Sequence, residues 1–230
     1  MSHYLIVGGS SGIGLALTQK LSQEGHSITA LSRTNEALNG LANVTHYPCD
    51  VSTNNPEFAQ VTSPIDGLAY LPGTVNLKPF SQLKIEDYQN DFNVNLLGAI
   101  KVIQHYLPQL LETENGSIVL MSSVAAGKGF PMHCSVSAAK SAVTGFMRGL
   151  ASEYAPKLRV NAVAPSLTET PLTASLLDSD VKKEGSAKRH PMKRVGTPDD
   201  IAEMIAFLLS SKSRWITGQL IGVDGGISTL

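Results

Sequence analysis

Cysteine is scarce in this sequence: Cys49 and Cys134 are the only two among 230 residues, and they lie far apart. Two such residues predict neither a disulfide framework nor a metal site, which is typical of a reducing compartment. Long apolar runs are also missing. Residues 4–7 are followed at once by glycines, and no other stretch approaches the ~20 residues that cross a bilayer. We therefore expect a soluble, cytoplasmic protein without a membrane span.

Charge is sparse as well. Charged residues make up 16% of the chain, and the formal net charge is −1. Such a chain has no general electrostatic attraction for nucleic acid or for an anionic membrane. Hydrophobic residues make up 42%, which excludes a disordered chain and is typical of a globular protein. The composition therefore favours a globular protein that binds neither nucleic acid nor membrane.

Short apolar runs alternate with longer amphipathic stretches along the whole chain. The short runs predict strands at residues 4–7, 27–31, 45–47, 65–71, 117–121, 159–164 and 219–223. The longer stretches predict helices at residues 13–23, 86–111, 135–154 and 199–210. Such alternation implies right-handed crossovers and a parallel sheet covered on both faces. We expect one α/β domain over residues 1–230, a doubly wound parallel sheet in a three-layer α/β/α arrangement.

The segment at residues 166–197 interrupts this alternation. Its pattern is irregular, and it carries the basic residues Lys182, Lys183, Lys188, Arg189, Lys193 and Arg194. One interpretation is a solvated surface helix with mobile ends. The other is a lid that closes over a bound ligand, because long insertions in compact domains are often lids.

A glycine-rich segment at residues 8–14 (GGSSGIG) lies directly between the first predicted strand and the first predicted helix. Glycines there let the backbone turn tightly and approach a pyrophosphate, whose charge is met by the N–H groups at the start of the helix. A plain glycine-rich turn is the alternative, but the placement favours a Rossmann-type dinucleotide site. The residues predicted to contact the dinucleotide are Gly8, Ser10, Ser11, Gly12, Ile13 and Gly14.

The end of the second strand indicates which dinucleotide is accepted. An acidic residue there bonds the ribose hydroxyls of NAD, whereas an arginine accommodates the 2′-phosphate of NADP. The chain has Ser32 and Arg33 at this point, with no carboxylate adjacent. A guanidinium binds phosphate in a fork and stacks on adenine, so we expect NADP(H) to be preferred over NAD(H). A merely solvated Arg33 is the alternative.

Further motifs follow in order along the chain: residues 49–51 (CDV), 93–98 (NVNLLG), 159–165 (RVNAVAP), 196–202 (GTPDDIA), 217–219 (TGQ) and 223–226 (VDGG). With the glycine-rich segment, they resemble the classical short-chain dehydrogenase/reductase family over nearly the whole chain. The resemblance implies that Asp50 and Val51 contact the adenine and that Asn95 is the active-site asparagine. It also implies that Pro165 cradles the nicotinamide and that Thr170 bonds its carboxamide or the phosphates.

The catalytic residues of this family are matched only in part. The family uses a tyrosine as proton donor, a lysine four residues later that lowers the tyrosine's pKa and holds the ribose, and a serine that bonds the carbonyl oxygen. Ser123 and Lys140 occupy the serine and lysine positions, but the residue four before Lys140 is Val136. Valine has no proton to give, so the mechanism cannot run unchanged. His133, Ser135, Cys134 and Lys140 acting through water are the possible substitutes.

A second departure follows the fourth strand. The family has two asparagines, an alanine and a glycine there, whereas this chain has Tyr70, Leu71, Pro72 and Gly73. Gly73 keeps room for the cofactor's ribose. Leu71 and Pro72 remove an amide and a backbone donor, so the local packing must differ. Ser166 after Pro165, in place of the family's glycine, is a milder change.

The resemblance implies an NADP(H)-dependent oxidoreductase with a non-standard proton donor, acting on a small carbonyl compound, an alcohol or an imine. A non-catalytic NADP(H)-binding sensor or scaffold, and a structural partner in a mixed oligomer, stay open as alternatives. No metal is expected. The resemblance also implies a homodimer or homotetramer.

Overall fold

Seven parallel strands form one sheet in the computed structural model, which describes residues 1–230. The strands are β1 (His3–Val7), β2 (Ser27–Ser32), β3 (Val44–Pro48), β4 (Gly67–Tyr70), β5 (Gly116–Met121), β6 (Leu158–Pro165) and β7 (Leu220–Val223). Their order across the sheet is β3-β2-β1-β4-β5-β6-β7. This order confirms the predicted doubly wound Rossmann arrangement.

The helices cover both faces of the sheet. They are α1 (Gly12–Gln23), α2 (Ile85–Phe92), α3 (Gly98–Leu111), α4 (Ala125–Lys128), α5 (Cys134–Tyr154), α6 (Asp180–Arg189) and α7 (Pro198–Leu209). None of them is both long and apolar enough to span a membrane.

Every residue of β4 and β5 is buried, because helices lie above and below these central strands. Side chains from α1 and α7 form one hydrophobic core with one face of the sheet, and side chains from α3 and α5 form a second core with the other face. Successive side chains of a strand point alternately into the two cores. Both sets are therefore apolar, and the strands appear in the sequence as continuous apolar runs.

The sheet reverses its winding direction between β1 and β4. β1 pairs with β2 on one side and with β4 on the other, so the connections leave the carboxyl ends of these strands toward opposite faces. In open α/β sheets, a crevice opens at this point and holds the ligand. The glycine-rich segment follows β1, and Leu71 to Gly73 follow β4. Both segments therefore lie at this crevice.

The helix predicted over residues 86–111 is not uniform. Residues Asn93–Leu97 form a π-helical turn between α2 and α3. Turns of this type often occur at functional sites, and this one carries Asn95.

The irregular segment at residues 166–197 contains more structure than its pattern indicates. Pro171–Leu176 is a 3₁₀ helix, and α6 follows it. A parallel bridge between Thr168 and Gly196 joins the two ends of the segment to each other.

Candidate functional site

The glycine-rich turn has a backbone that only glycine adopts without strain. Gly8 and Gly12 have φ values of +80° and +51°. A Cβ on Gly14 would overlap the carbonyl oxygen of Gly8, so the turn closes tightly on the start of α1. A Cβ on Gly12 would lie 3.2 Å from the side chain of Thr170. The absence of side chains here leaves a bare backbone facing Thr170, which fits a bound pyrophosphate.

At the end of β2, the Ser32 hydroxyl is already engaged. Its O–H donates to the carbonyl oxygen of Thr34 at 2.8 Å, and the Nε2 atom of His46 lies 3.0 Å from its oxygen. Arg33 is exposed and forms no ion pair. The Thr34 hydroxyl lies 3.4 Å from that of Ser10. Arg33 therefore presents free donors at this edge, beside the paired hydroxyls of Ser10 and Thr34. Thr34 was not identified from the sequence.

Asp50 lies on the loop that follows β3. Its carboxylate accepts the O–H of Ser52 at 2.6 Å and the N–H of Ser52 at 2.9 Å. These two bonds, together with the charge of Arg33, hold the pKa of Asp50 below its usual value. The neighbouring Val51 is buried against Gly98. An ionised acceptor and an apolar side chain are thus placed beside Arg33.

A cavity of about 710 Å³ opens at the carboxyl ends of the central strands. Eight of the residues predicted for the site line it: Ile13, Gly73, Ser123, His133, Val136, Lys140, Pro165 and Thr170. The other predicted residues, Gly8, Ser10, Ser11, Gly12, Gly14, Ser32, Arg33, Asp50, Val51 and Asn95, do not line it. Several of these still touch its wall, because Gly12 faces Thr170 and Asn95 lies behind Gly73.

Lys140 is a buried ionisable group of the cavity wall, with 5% of its surface exposed. Its Nζ atom donates to the carbonyl oxygen of Met121 at 2.8 Å. Burial lowers the pKa of Lys140 to about 7, although the charge of Asp91 acts in the opposite direction. Val136 borders the same cavity one helical turn earlier. The lysine therefore carries a proton that it can lose near neutral pH.

Ser123 presents its hydroxyl differently from its neighbour Ser122. The Oγ atom of Ser122 is buried against α5, 3.3 Å from the carbonyl oxygen of Lys140 and 3.0 Å from the Thr144 hydroxyl. The Oγ atom of Ser123 accepts the N–H of Ala125 at 3.1 Å and donates to no protein group. Ser123 is therefore the serine with a free O–H at the cavity.

The substitutes for the missing tyrosine are unequal. The Nδ1 atom of His133 lies 2.7 Å from the carbonyl oxygen of Pro131, so Nδ1 carries the proton and Nε2 has none in the neutral ring. Ser135 is fully buried and Cys134 is exposed, and neither lines the cavity. Of the four possible substitutes, only His133 and Lys140 therefore line the cavity.

Asn95 is held from behind by two residues that were not identified from the sequence. Its Nδ2 atom donates to the Thr74 hydroxyl and to the backbone carbonyl of Asp91, both at 2.8 Å. Thr74 in turn donates to the carboxylate of Asp91 at 2.6 Å. Asp91 precedes Asn95 by four residues, so the helical spacing was a signal that both face the same way.

The substituted residues after β4 pack directly on the glycine-rich turn. A Cβ on Gly8 would lie 3.3 Å from Pro72, and Leu71 lines the cavity while its N–H continues the pairing with β1. The altered packing expected here is therefore a contact between Pro72 and Gly8.

The segment at residues 166–197 forms one wall of the cavity through Leu172, Leu176, Arg189 and His190, among others. Four of its six basic side chains form ion pairs, which involve Lys182, Lys183, Lys188 and Arg194. The ring of His190 is buried and spans two contacts of 2.8 Å, with the carbonyl oxygen of Ser186 and with the hydroxyl of Ser166. The charges of this segment are thus largely satisfied by its own acids.

Known proteins resemble this chain over almost its whole length. A family model described as Enoyl-(Acyl carrier protein) reductase matches residues 7–228. The 3-oxoacyl-(acyl-carrier-protein) reductase FabG of Thermotoga maritima is 35% identical, over 97% of this chain and 96% of the relative. Carbonyl reductase family member 4 of Danio rerio is 34% identical, over 98% of both chains.

Solved structures agree with these matches. A structure from Beutenbergia cavernae, to which an NAD(P)-dependent gluconate 5-dehydrogenase activity is assigned and which holds NADP at low occupancy, has a TM-score of 0.88 and 26% identity. The similarity covers 98% of this chain and 96% of that one.

Proposed function

The chain belongs to the classical short-chain dehydrogenase/reductase family of oxidoreductases, and on that basis we propose that it reduces a small carbonyl compound with NADPH, Lys140 supplying the proton. The reverse reaction oxidises the corresponding alcohol. The observation that carries the proposal is the buried Lys140, which has a pKa of about 7. It lines the same cavity as Ser123, whose O–H is free.

The residues that would hold the dinucleotide extend from the glycine-rich turn to the cavity. Gly8, Gly12 and Gly14 leave bare backbone for the pyrophosphate, and Arg33 with Thr34 meets the 2′-phosphate. Asp50 accepts from the adenine amino group, while Lys140 and Thr170 flank the nicotinamide end. Bound NADPH supplies a hydride to the carbonyl carbon. The related structure with bound NADP supports this choice of cofactor.

The protein's own part in the reaction is to bind the carbonyl oxygen and to deliver a proton. The O–H of Ser123 donates to that oxygen and stabilises the negative charge that develops on it. The ammonium of Lys140 gives its proton to the same oxygen, directly or through one water, and becomes a neutral amine that is reprotonated from solvent. An acid with a pKa near the working pH is well suited to this role, which typically contributes about 10²–10⁴-fold.

The walls of the cavity favour a substrate with an apolar body. Leu71, Leu77, Phe130, Leu172 and Leu176 line it, and the only polar side chain that α5 brings to it is that of Lys140. Two of the relatives are named as reductases of 3-oxoacyl and carbonyl compounds, which supports a carbonyl substrate.

We further propose that residues 1–230 act as one domain in which the segment at residues 166–197 is a lid. The segment contributes one wall of the cavity, so its displacement would open the site to solvent. Closure of such a segment excludes water from the reaction.

Val136 favours one alternative function, a sensor or scaffold that binds NADP(H) without turnover. The place of the family's proton donor is filled by an isopropyl group that is 7% exposed. A protein of this kind would bind the dinucleotide and leave carbonyl compounds unchanged.

The test measures NADPH oxidation with reactive α-diketones between pH 5.5 and 9, in the wild type, in Lys140→Met and in the exposed-lysine control Lys212→Met. Because Lys140 must be protonated to act, the reduction rate should fall as pH rises through about 7. Lys140→Met should reduce the rate about 100-fold or more.

Thermal shifts with NADPH and NADH, in the wild type, in Arg33→Ala and in the control Arg214→Ala, test which cofactor is preferred. NADPH binding without turnover at any pH would favour the sensor.

A further inference from the structure

Behind the cavity wall lies a small network of buried polar side chains: Thr74, Asp91 and Asn95. Asp91 has no exposed surface, although carboxylates are almost never fully buried unless they are paired. One oxygen of its carboxylate accepts from Thr74, and the other, Oδ2, has no hydrogen-bond partner. A buried acid with a free oxygen requires a compensating positive charge or proton nearby.

The hydrogen bonds of this network have a fixed direction. An ionised carboxylate only accepts, so the O–H of Thr74 points to Asp91, and the Thr74 oxygen accepts from the Nδ2 atom of Asn95. The second Nδ2 hydrogen goes to the backbone carbonyl of Asp91. Both amide hydrogens of Asn95 are therefore used, and its Oδ1 atom is left without a partner. Asp91 thus decides which way the amide of Asn95 faces.

The free oxygen of Asn95 and the amine of Lys140 border the same space. A Cβ on Gly73 would lie 3.3 Å from the Oδ1 atom of Asn95 and 3.4 Å from the Nζ atom of Lys140. The bare Gly73 keeps this space open. The network therefore leads from Asp91 to the position from which Lys140 faces the cavity.

Asp91 is also the acid whose charge acts on Lys140. β5 and the π-helical turn have no titratable side chain. On α2, Glu86 is exposed, Tyr88 is half-buried and Asp87 pairs with Lys78. Lys128 of α4 bonds the Ile227 carbonyl, and Arg159 of β6 bonds Leu208 and Ser213. The remaining titratable groups of the cavity are His133, Lys182, Arg189 and His190, none of which is an acid.

We propose that Asp91 is a positioning residue for the proposed reaction, which orients the Asn95 amide through Thr74 and keeps Lys140 in the ammonium form that delivers the proton. This inference rests on the proposed function of Lys140. Burial alone favours the neutral amine, which has no proton to give to a carbonyl oxygen. The negative charge of Asp91 opposes that effect, and it does so from a site that neither substrate nor solvent reaches.

The experiment compares the wild type with Asp91→Asn, which keeps the shape and an acceptor for Thr74 but removes the charge. Glu86→Gln, an exposed change of the same charge on the same helix, is the control. The titration of Lys140 is followed by ¹³Cε NMR in the cofactor-free protein, with Lys140→Met to assign the signal. The midpoint should move down by about 1 pH unit in Asp91→Asn, as expected on loss of a neighbouring opposite charge. Glu86→Gln should leave it in place.

The pH profile of diketone reduction gives the second readout. A shift of about 1 unit makes reduction at pH 8 about tenfold slower and leaves the rate at about pH 5 nearly unchanged. An unmoved Lys140 midpoint in Asp91→Asn would overturn the inference. A protein that turns nothing over, but whose Lys140 midpoint moves as stated, would refute the proposed function and leave the electrostatic role of Asp91 standing.

A second variant separates orientation from charge. Thr74→Val keeps both ionisable groups and removes the hydroxyl between Asp91 and Asn95. Lys140 should titrate as in the wild type, while the reduction rate falls about tenfold, the loss expected for one hydrogen bond. An unchanged rate would overturn the orienting role, whether or not Asp91→Asn folds.

Discussion

At the scale of single residues, Val136 determines what the site lacks. It lies on the face of α5 that borders the cavity, one turn before Lys140, and its side chain is 7% exposed. The hydroxyl of Ser123 and the amine of Lys140 border the same cavity, but at position 136 there is no phenol to donate a proton. In the proposed reaction, the proton therefore comes from a group that the family ordinarily uses for another purpose.

We predict that Val136→Tyr increases the rate of diketone reduction by about 100-fold, the lower end of what a placed general acid contributes. The phenol would reach toward Ser123, and the nearby Lys140 would lower its pKa. The matched control is Val136→Phe, which adds the ring without the hydroxyl. Steady-state NADPH oxidation at pH 6–9 measures both variants.

Equal rates for the tyrosine and phenylalanine variants would contradict this prediction. Leu71 and Pro72 would then have reshaped the site enough to misplace the ring, since a shift of about 1 Å can cost about 100-fold. A wild type as fast as Val136→Tyr would point instead to an efficient donor already present, and His133→Ala would test the remaining candidate.

The sequence was sufficient to place Ser123, Lys140 and Gly73 at one cavity. Gly73 and Ser123 each follow a predicted strand, and Lys140 lies near the start of a predicted helix. It was not sufficient for Thr74 and Asp91. Whether a single acid is solvated or fully buried depends on which side chains close over it, and those come from distant parts of the chain. Nor did the sequence show that the hydroxyl of Ser32 is engaged by a local bond to the carbonyl oxygen of Thr34.

At the scale of elements, the π-helical turn at Asn93–Leu97 sets the place of Asn95. The apolar pattern of residues 86–111 predicts a helix, and the residues are helical throughout. The pattern cannot separate a π turn from an α turn, because one wider turn shifts the apolar face only slightly. The shift matters chemically, since it brings the Nδ2 atom of Asn95 to both Thr74 and Asp91.

One buried imidazole ties α6, in the proposed lid, to the residue that follows β6. The Nδ1 atom of His190 donates to the carbonyl of Ser186, so in the neutral ring Nε2 accepts from the O–H of Ser166. Ser166 directly follows β6, where the family has glycine. This substitution therefore gives the end of α6 a hydrogen bond to the sheet.

We predict that Ser166→Ala loosens α6, because the Nε2 atom of His190 loses its partner. Amide hydrogen exchange of peptides covering residues 180–190 should become about tenfold faster, equivalent to roughly 1.4 kcal/mol of local opening. The KM for the substrate should rise more than kcat changes, since the chemistry at Ser123 is untouched.

Ser141→Ala is the control for this change. It removes the hydrogen bond that the hydroxyl of Ser141, on α5, donates to the carbonyl oxygen of Ala126, on α4, away from the proposed lid. Unchanged exchange in Ser166→Ala would show that other contacts hold α6. Faster exchange in both variants would indicate a general loss of stability rather than a tie at His190.

At the scale of the whole molecule, the fold was the part most fully predicted from the sequence. Strands buried on both faces must be apolar along their whole length, and helices that cover them must be amphipathic, so each element carries its own signal. Association with other copies carries no such signal. In the structure, Trp215 is 97% exposed beside β7, the edge strand whose residues are only partly buried.

We predict a homodimer or homotetramer in which the region of Trp215 is covered. Light scattering should give two or four times the 24.4 kDa of one chain. Trp215 is the only tryptophan, so its fluorescence should shift to longer wavelength as the protein is diluted and dissociates. Trp215→Glu should weaken the assembly, and Val181→Glu, an exposed apolar residue on α6, should not. A single 24.4 kDa species at micromolar concentration would refute the prediction.

The reversal of the sheet at β1 also affects how the chain is made. β1 is synthesised before β4, one of its two neighbours in the sheet, and Tyr4 pairs with Gly67, 63 residues later. At about 5–20 residues per second, that interval lasts roughly 3–13 s. During this time an apolar edge of the nascent chain emerges from the ribosome with nothing to pair with. A ribosome stalled before β4 would hold a strand that aggregates unless a chaperone covers it.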